Sequence, residues 1–139
     1  MAMELVPFGR FLGETGTVEM VSDTPAGRRY IVGVRGARFE GGRLRAVQRG
    51  GSAADWMLLT ADETAHIDVR LTVRTEDGAF VYVSYRGRAD WSAGMENAVA
   101  VCTFTFETGA PAYAWLNRAV VVGRGSPGGG PDYELYELR

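Results

Sequence analysis

Ala65-His66-Ile67-Asp68-Val69-Arg70-Leu71-Thr72-Val73-Arg74 puts an apolar side chain at every odd position and a polar one at every even position. Unbroken period-two alternation over this length predicts a β-strand with one buried face and one polar face. Glu76-Asp77-Gly78 follows, and Asp-Gly supplies the positive φ angles of a tight hairpin turn. Phe80 to Tyr85 is β-branched and aromatic, so the chain is expected to return antiparallel. Ala54 to Thr60 (ADWMLLT) leads into this hairpin from upstream.

Shorter segments of the same kind fill the rest of the chain. Strands are expected at residues 5–11, 16–21, 28–34, 43–48, 99–106, 112–122 and 133–138, and residues 36–40 either continue the strand of 28–34 or start the next. Pro7 marks the first as an edge strand or arm. Most of the 19 glycines fall between segments, as tight turns require. Residues 89–98 lack a β period and read as a helical turn or a lid loop. Residues 123–131 are rich in glycine and proline and read as a loop. The whole predicts one all-β domain over residues 1–139, an antiparallel barrel of about eight to ten strands with at most a short helix. A barrel is preferred to a sandwich because no strand carries an obvious protected edge.

Composition excludes several classes. The net charge of −2 and pI of about 5.4 give no electrostatic footprint for nucleic acid. A lone cysteine, Cys102, forbids an intrachain disulfide and suits a reducing cytoplasm. One histidine is too few for a His-rich zinc site, and no cofactor motif is present. The first residues lack the pattern of a signal peptide, and no apolar run is long enough to span a membrane as a helix.

Six segments in order resemble the DUF3237 (UPF0311) family. They are Thr24-Pro25-Ala26-Gly27-Arg28-Arg29, residues 36–44 (GARFEGGRL), Ala54-Asp55-Trp56, Ile67-Asp68-Val69-Arg70, residues 76–83 (EDGAFVYV), and finally FTFETG at 104–109 with Tyr113-Ala114-Trp115-Leu116-Asn117-Arg118. The resemblance runs from about Gly16 to Leu138. It implies a small barrel of the calycin, allene-oxide-cyclase or dirigent type, and it carries no settled activity. The segment between Gly87 and Val99 looks shorter than family members usually have, which bears on gating if it covers a pocket mouth.

Asp68, Arg70 and Thr72 share the polar face of the central strand. Facing a lumen, Asp68 would serve as general acid or base and Arg70 as an anion binder, with Tyr82 a second proton carrier. Facing outward, the same residues are a solvated surface or a structural ion pair. His66 lies on that face outside the family motif. Tyr113, Trp115 and Asn117 would share one strand face and form a ligand wall, or else core. Asp55, Trp56 and Arg86 complete the candidate binding residues, although Asp55 taken alone reads more readily as a turn residue than as a cavity residue. No metal ligands cluster, and Cys102 reads as a buried small hydrophobe.

Three functions fit. One is a cofactor-independent cyclase, isomerase or lyase acting on a small organic molecule in the cavity. The second is a non-catalytic binder of a hydrophobic small molecule. The third is a structural oligomerisation module with a filled interior. A homodimer is expected, because polar residues in the lumen would leave the apolar face of residues 65–73 outside.

Overall fold

The computed structural model describes residues 1–139 as a closed ring of eight antiparallel strands. In chain order these are β1 (Leu5–Thr24), β2 (Gly27–Glu40), β3 (Ala46–Leu59), β4 (Thr64–Thr75), β5 (Phe80–Asp90), β6 (Ala100–Glu107), β7 (Val121–Ser126) and β8 (Asp132–Leu138). Each strand pairs with the next, and β8 closes on β1 from Leu5↔Leu138 to Leu12↔Asp132. The expected all-β barrel is therefore the fold. No helix is long and apolar enough to cross a membrane.

Two strands run longer than the separate segments, and residues 36–40 continue the strand of 28–34 rather than start the next. Residues 5–11 and 16–21 both belong to β1, and residues 28–34 and 36–40 both belong to β2. Register shifts between Leu12 and Glu14, and between Gly33 and Arg38, absorb the irregularity. Such bulges bend a strand without ending it. The expected strand over 112–122 is mostly helical. Pro111–Arg118 forms a 3-10 helix, and β7 starts only at Val121. Pro111 sits at its first turn, where the missing N–H costs nothing. A 3-10 turn at Met95–Asn97 supplies the short helix expected within 89–98.

The alternation of β4 points the other way from one expectation. Ala65, Ile67, Val69, Leu71 and Val73 are each at most 3% exposed and face the lumen. Asp68 and Arg70 lie on the outer face, with Arg70 exposed. An eight-stranded barrel has an interior that side chains just fill. Placing five apolar side chains there stabilises by roughly 1.5–3 kcal/mol for each of the larger ones. Placing a guanidinium and a carboxylate there would require their desolvation. The dimer expectation drawn from an outward apolar face of β4 consequently loses its basis.

Aromatic rings fill the middle of the lumen. Tyr85 stacks on Phe104 with ring centroids 4.3 Å apart, and Phe11 packs on Phe39 at 4.7 Å. Tyr133 meets both Tyr85 and Phe104 edge-on. The 3-10 helix plugs one end, burying Leu116 completely and setting Trp115 edge-on to Phe8. Arg43 caps that plug, 4.0 Å over the Trp115 ring, and also holds Glu137 together with Arg139. Gly87 has no room for a Cβ, which would collide with the Val101 carbonyl and Cys102 Sγ. β5 and β6 thus approach closely beside the aromatic layer.

Removing the ring at the centre of this layer is expected to cost most. Phe104→Ala should lower unfolding free energy by about 3–5 kcal/mol, whereas Val101→Ala, on the outer face of the same strand, should change it by less than about 0.5 kcal/mol. Urea denaturation of the two variants measures the contrast.

Candidate functional site

The end of the barrel opposite the helical plug is hollow. A cavity of about 330 Å³ opens between β1, β2, β3 and the 91–95 and 127–129 segments. Its walls are largely apolar, including Val18, Val32, Met57 and Met95, with the Tyr30 and Trp91 rings 6.0 Å apart. A narrow extension of about 30 Å³ runs deeper, to Tyr85 and Tyr133. One ionisable acid, Asp55, lines both spaces.

The alternation of β3 sets this position. Ala53 and Met57 are buried, and Asp55 lies between them on the same inward face. Asp55 Oδ1 accepts the Asp68 N–H at 2.9 Å. Close by, the Trp56 carbonyl accepts Arg29 Nη1 at 2.8 Å. The paired residues of β3 and β4 skip from Asp55↔Val69 to Leu58↔His66, with the carboxylate engaging the skipped stretch. Asp55 is thereby tied to the backbone by a hydrogen bond and has no cationic partner.

Its acidity follows from this setting. Burial pushes the Asp55 carboxyl up to about 6, partly opposed by the Asp68 N–H bond and slightly reinforced by the Asp68 charge. Neighbouring acids are held in their neutral forms more firmly still. Burial, then the Asp55 charge, holds the Tyr85 hydroxyl well above its usual range. Burial raises Tyr133 likewise and pushes the Cys102 thiol up to about 12, despite its 3.8 Å contact to the Tyr133 oxygen. At neutral pH the lumen thus combines one titrating carboxyl with protonated phenols and a thiol. A further polar group is unspent, since Trp91 Nε1 is buried with no acceptor. An orphaned indole N–H of this kind is uncommon in a folded protein.

The other candidate residues are dispersed. Arg70 lies over the Trp56 ring at 4.4 Å on the outer wall, so Trp56 faces out as well. Asp68 pairs with the exposed Arg86 at 3.4 Å, and Arg86 has no part in the cavity. Tyr82 is 39% exposed on the outer face of β5. His66 contacts Thr60 Oγ1 at 3.2 Å and Arg88 Nε at 3.1 Å, again outside. Tyr113, Trp115 and Asn117 belong to the plug at the far end, so the shared strand face expected for them does not exist. There Tyr113 donates to Asp77, and the Asn117 amide closes the Thr108 turn through two hydrogen bonds of 2.8 and 3.0 Å. Of the sequence candidates, Asp55 alone reaches the cavity.

Tyr30, Met57, Trp91 and the Pro127–Gly129 segment were not among those candidates. Met57 and Asp55 did carry a signal, because they occupy alternate positions with the small Ala53. Trp91 and Pro127 carry none, since loops place them. A surface groove of about 420 Å³, lined by Gly16, Gly33, Gly36, Gly50 and Gly51, lies open on the outside of β1–β3 and offers Arg35 as its sole charged group.

No curated protein matches this chain. Among solved structures, a β-barrel-like protein from Acinetobacter baumannii AYE is 29% identical, with a TM-score of 0.88 over 100% of this chain and 98% of that one. A conserved protein of unknown function from Rhodopseudomonas palustris is 19% identical, with a TM-score of 0.89 over 100% and 99%. An enzyme from Penicillium herquei is 18% identical, with a TM-score of 0.75 over 99% and 94%. At the last two identities the likeness is one of fold. The family described as "Protein of unknown function (DUF3237)" matches residues 3–138. Covered over almost its entire length by that match, this eight-stranded barrel belongs to the DUF3237 family.

Proposed function

We propose that the protein is a cofactor-independent enzyme that moves a proton on a neutral, largely apolar small molecule held in the cavity beside Asp55. One observation carries the reading. A single carboxyl with a pKa of about 6 lines an otherwise uncharged cavity. An acid or base works best when its pKa lies near the working pH. Ionised Asp55 takes a proton from an acidic C–H or O–H of the ligand, and the resulting carboxylic acid returns it to another atom. That cycle isomerises, cyclises or eliminates and leaves Asp55 unchanged. The absence of a cation in the cavity lining favours a neutral ligand over an anionic one. The Penicillium herquei neighbour, described as an enzyme, is compatible with chemistry in this fold. The alternative is a binding protein using the same cavity without turnover. A structural module with a filled interior fits less well, because a cavity of about 330 Å³ remains. This reading moves the catalytic group from Asp68, Arg70 and Tyr82 to Asp55.

Proton abstraction has a signature that needs no knowledge of the natural substrate. Neutral ketones and enones of cavity size, incubated with the protein in D2O, should gain deuterium at acidic C–H positions. Asp55→Asn should slow that exchange about 10²–10⁴-fold. Binding of the same compounds without any exchange would support the binding-protein alternative.

The neutral fluorophore N-phenyl-1-naphthylamine probes the cavity itself. Its binding should weaken as pH rises through about 6, where Asp55 ionises, and should become independent of pH in Asp55→Asn. A carbon-13 titration of the Asp55 carboxyl with a midpoint below about 5 would defeat the assignment. Arg70→Ala should leave probe binding unchanged and stability within about 1 kcal/mol, because Arg70 lies on the outer wall.

Stability should follow the same group. The folded pKa of about 6 exceeds the usual carboxyl value of 3.8. The folded state therefore binds more protons between these values, and stability falls as pH rises through that window. At pH 8 Asp55→Asn should be more stable than wild type, by up to about 3 kcal/mol for a shift of this size. At pH 3 the advantage should vanish. Thermal melts at the two pH values decide the sign.

A further inference from the structure

Beyond the cavity, β1 leaves part of the barrel unpaired. β8 covers β1 only as far as Leu12, with one further bond from the Gly13 N–H to the Pro131 carbonyl. β1 nevertheless continues to Thr24, paired on its other side with β2 as far as Thr24↔Gly27. That side is firm, because β2 is itself paired to β3 from Arg28↔Leu59 to Gly33↔Ala54. The result is a projecting strand whose outer edge carries unpaired backbone groups. Its side chains are exposed on both faces, with Val18 at 52%, Met20 at 55% and Val21 at 50%. Proline, lysine and arginine, common guards of such an edge, do not occur between residues 14 and 24.

Residues 18–21 run in unbroken register with β2, bracketed by shifts on either side. This regular stretch restricts what can pair with it. A twofold axis that joins two copies of one edge strand antiparallel stands perpendicular to the sheet and preserves its faces. Residues facing one another must then have the same parity. An axis through Glu19 would set two Glu19 carboxylates opposite each other. An axis through Val21 would set Glu19 against Asp23. An axis through Met20 sets Met20 against Met20, Val18 against Ser22 and Glu19 against Val21. An axis through Val18 would run Glu19 and Met20 against Thr17 and Gly16, across the register shift between Thr15 and Val18, so within the regular stretch the axis through Met20 gives the register that joins apolar groups and opposes no like charges.

We infer that two copies of this chain join through the projecting edges of β1, in antiparallel register about Met20, to form one sheet across a twofold axis. The arrangement bears on the cavity. Val18 lines its mouth, and Tyr30, opposite Met20 on β2, lines it too. Met20 of the second copy would continue the same sheet face and extend the apolar rim. The inference does not depend on Asp55 or on any reaction.

Sedimentation velocity at micromolar concentration should show a dimer. Met20→Lys, which sets two ammonium groups face to face, should yield a folded monomer whose melting temperature, unlike that of the dimer, does not depend on protein concentration. Val21→Glu and Val21→Lys separate this register from general loss of apolar surface. The first places a carboxylate opposite Glu19 and should weaken the dimer about tenfold. The second places an ammonium there and should leave it as tight or tighter. N-phenyl-1-naphthylamine should bind more weakly to the Met20→Lys monomer than to the wild-type dimer. A monomeric wild-type protein at 100 μM (a concentration chosen for the test, roughly the weak end of specific association), a dimer that survives Met20→Lys, or equal weakening by the two Val21 variants would each overturn the inference.

Discussion

Everything in this protein depends on filling the inside of an eight-stranded ring. Such a barrel encloses a space that side chains can just occupy, so the face of each strand that turns inward is decided by volume and desolvation together. On β4 the odd positions supply aliphatic side chains that pack to near-complete burial. Five rings from β1, β2, β5, β6 and β8 meet in the middle, and their offset and edge-on contacts leave little space between them. Closure is completed at one end by a 3-10 helix rather than by another strand.

The open end shows what happens where this rule is broken. Asp55 occupies a position that the strand period assigns to the lumen, and no cation answers it. Its carboxylate is retained through one backbone N–H and remains easier to protonate than an ordinary aspartate. A polar exception in an apolar lumen destabilises the fold at neutral pH, and strain of that kind is commonly kept where it serves a function. The unpartnered Trp91 indole, on the rim of the same cavity, is a second polar group unsatisfied by the protein alone.

The outer wall follows a different logic. Arg70 over Trp56, Arg86 with Asp68 and Arg88 with His66 form a set of cross-strand contacts in water. Contacts of this kind contribute a few tenths to about one kcal/mol each. They hold register and solubilise the sheet, and their charged ends need no pocket. The same arginine and aspartate that suggest acid–base chemistry in the sequence are therefore ordinary surface residues in the fold.

Local sequence determined the strands, because period-two alternation and Asp-Gly chemistry act between near neighbours. It determined the hairpin of β4 and β5, the turn before Gly27 and the all-β class. It did not determine which face of β4 turns inward. Alternation separates two faces, and only closure of the ring, which makes the lumen too small and dry for Asp68 and Arg70, assigns them. The Pro111–Arg118 helix was also hidden, because Ala112 to Val122 alternates well enough to pass for a strand until it must plug the barrel. Asp55 was legible as a candidate, but its environment was not. The low dielectric that shifts its acidity comes from Val32, Met57, Tyr85 and Tyr133, drawn from four different strands. Those residues are distant in the chain, and tertiary folding alone brings them around one carboxylate.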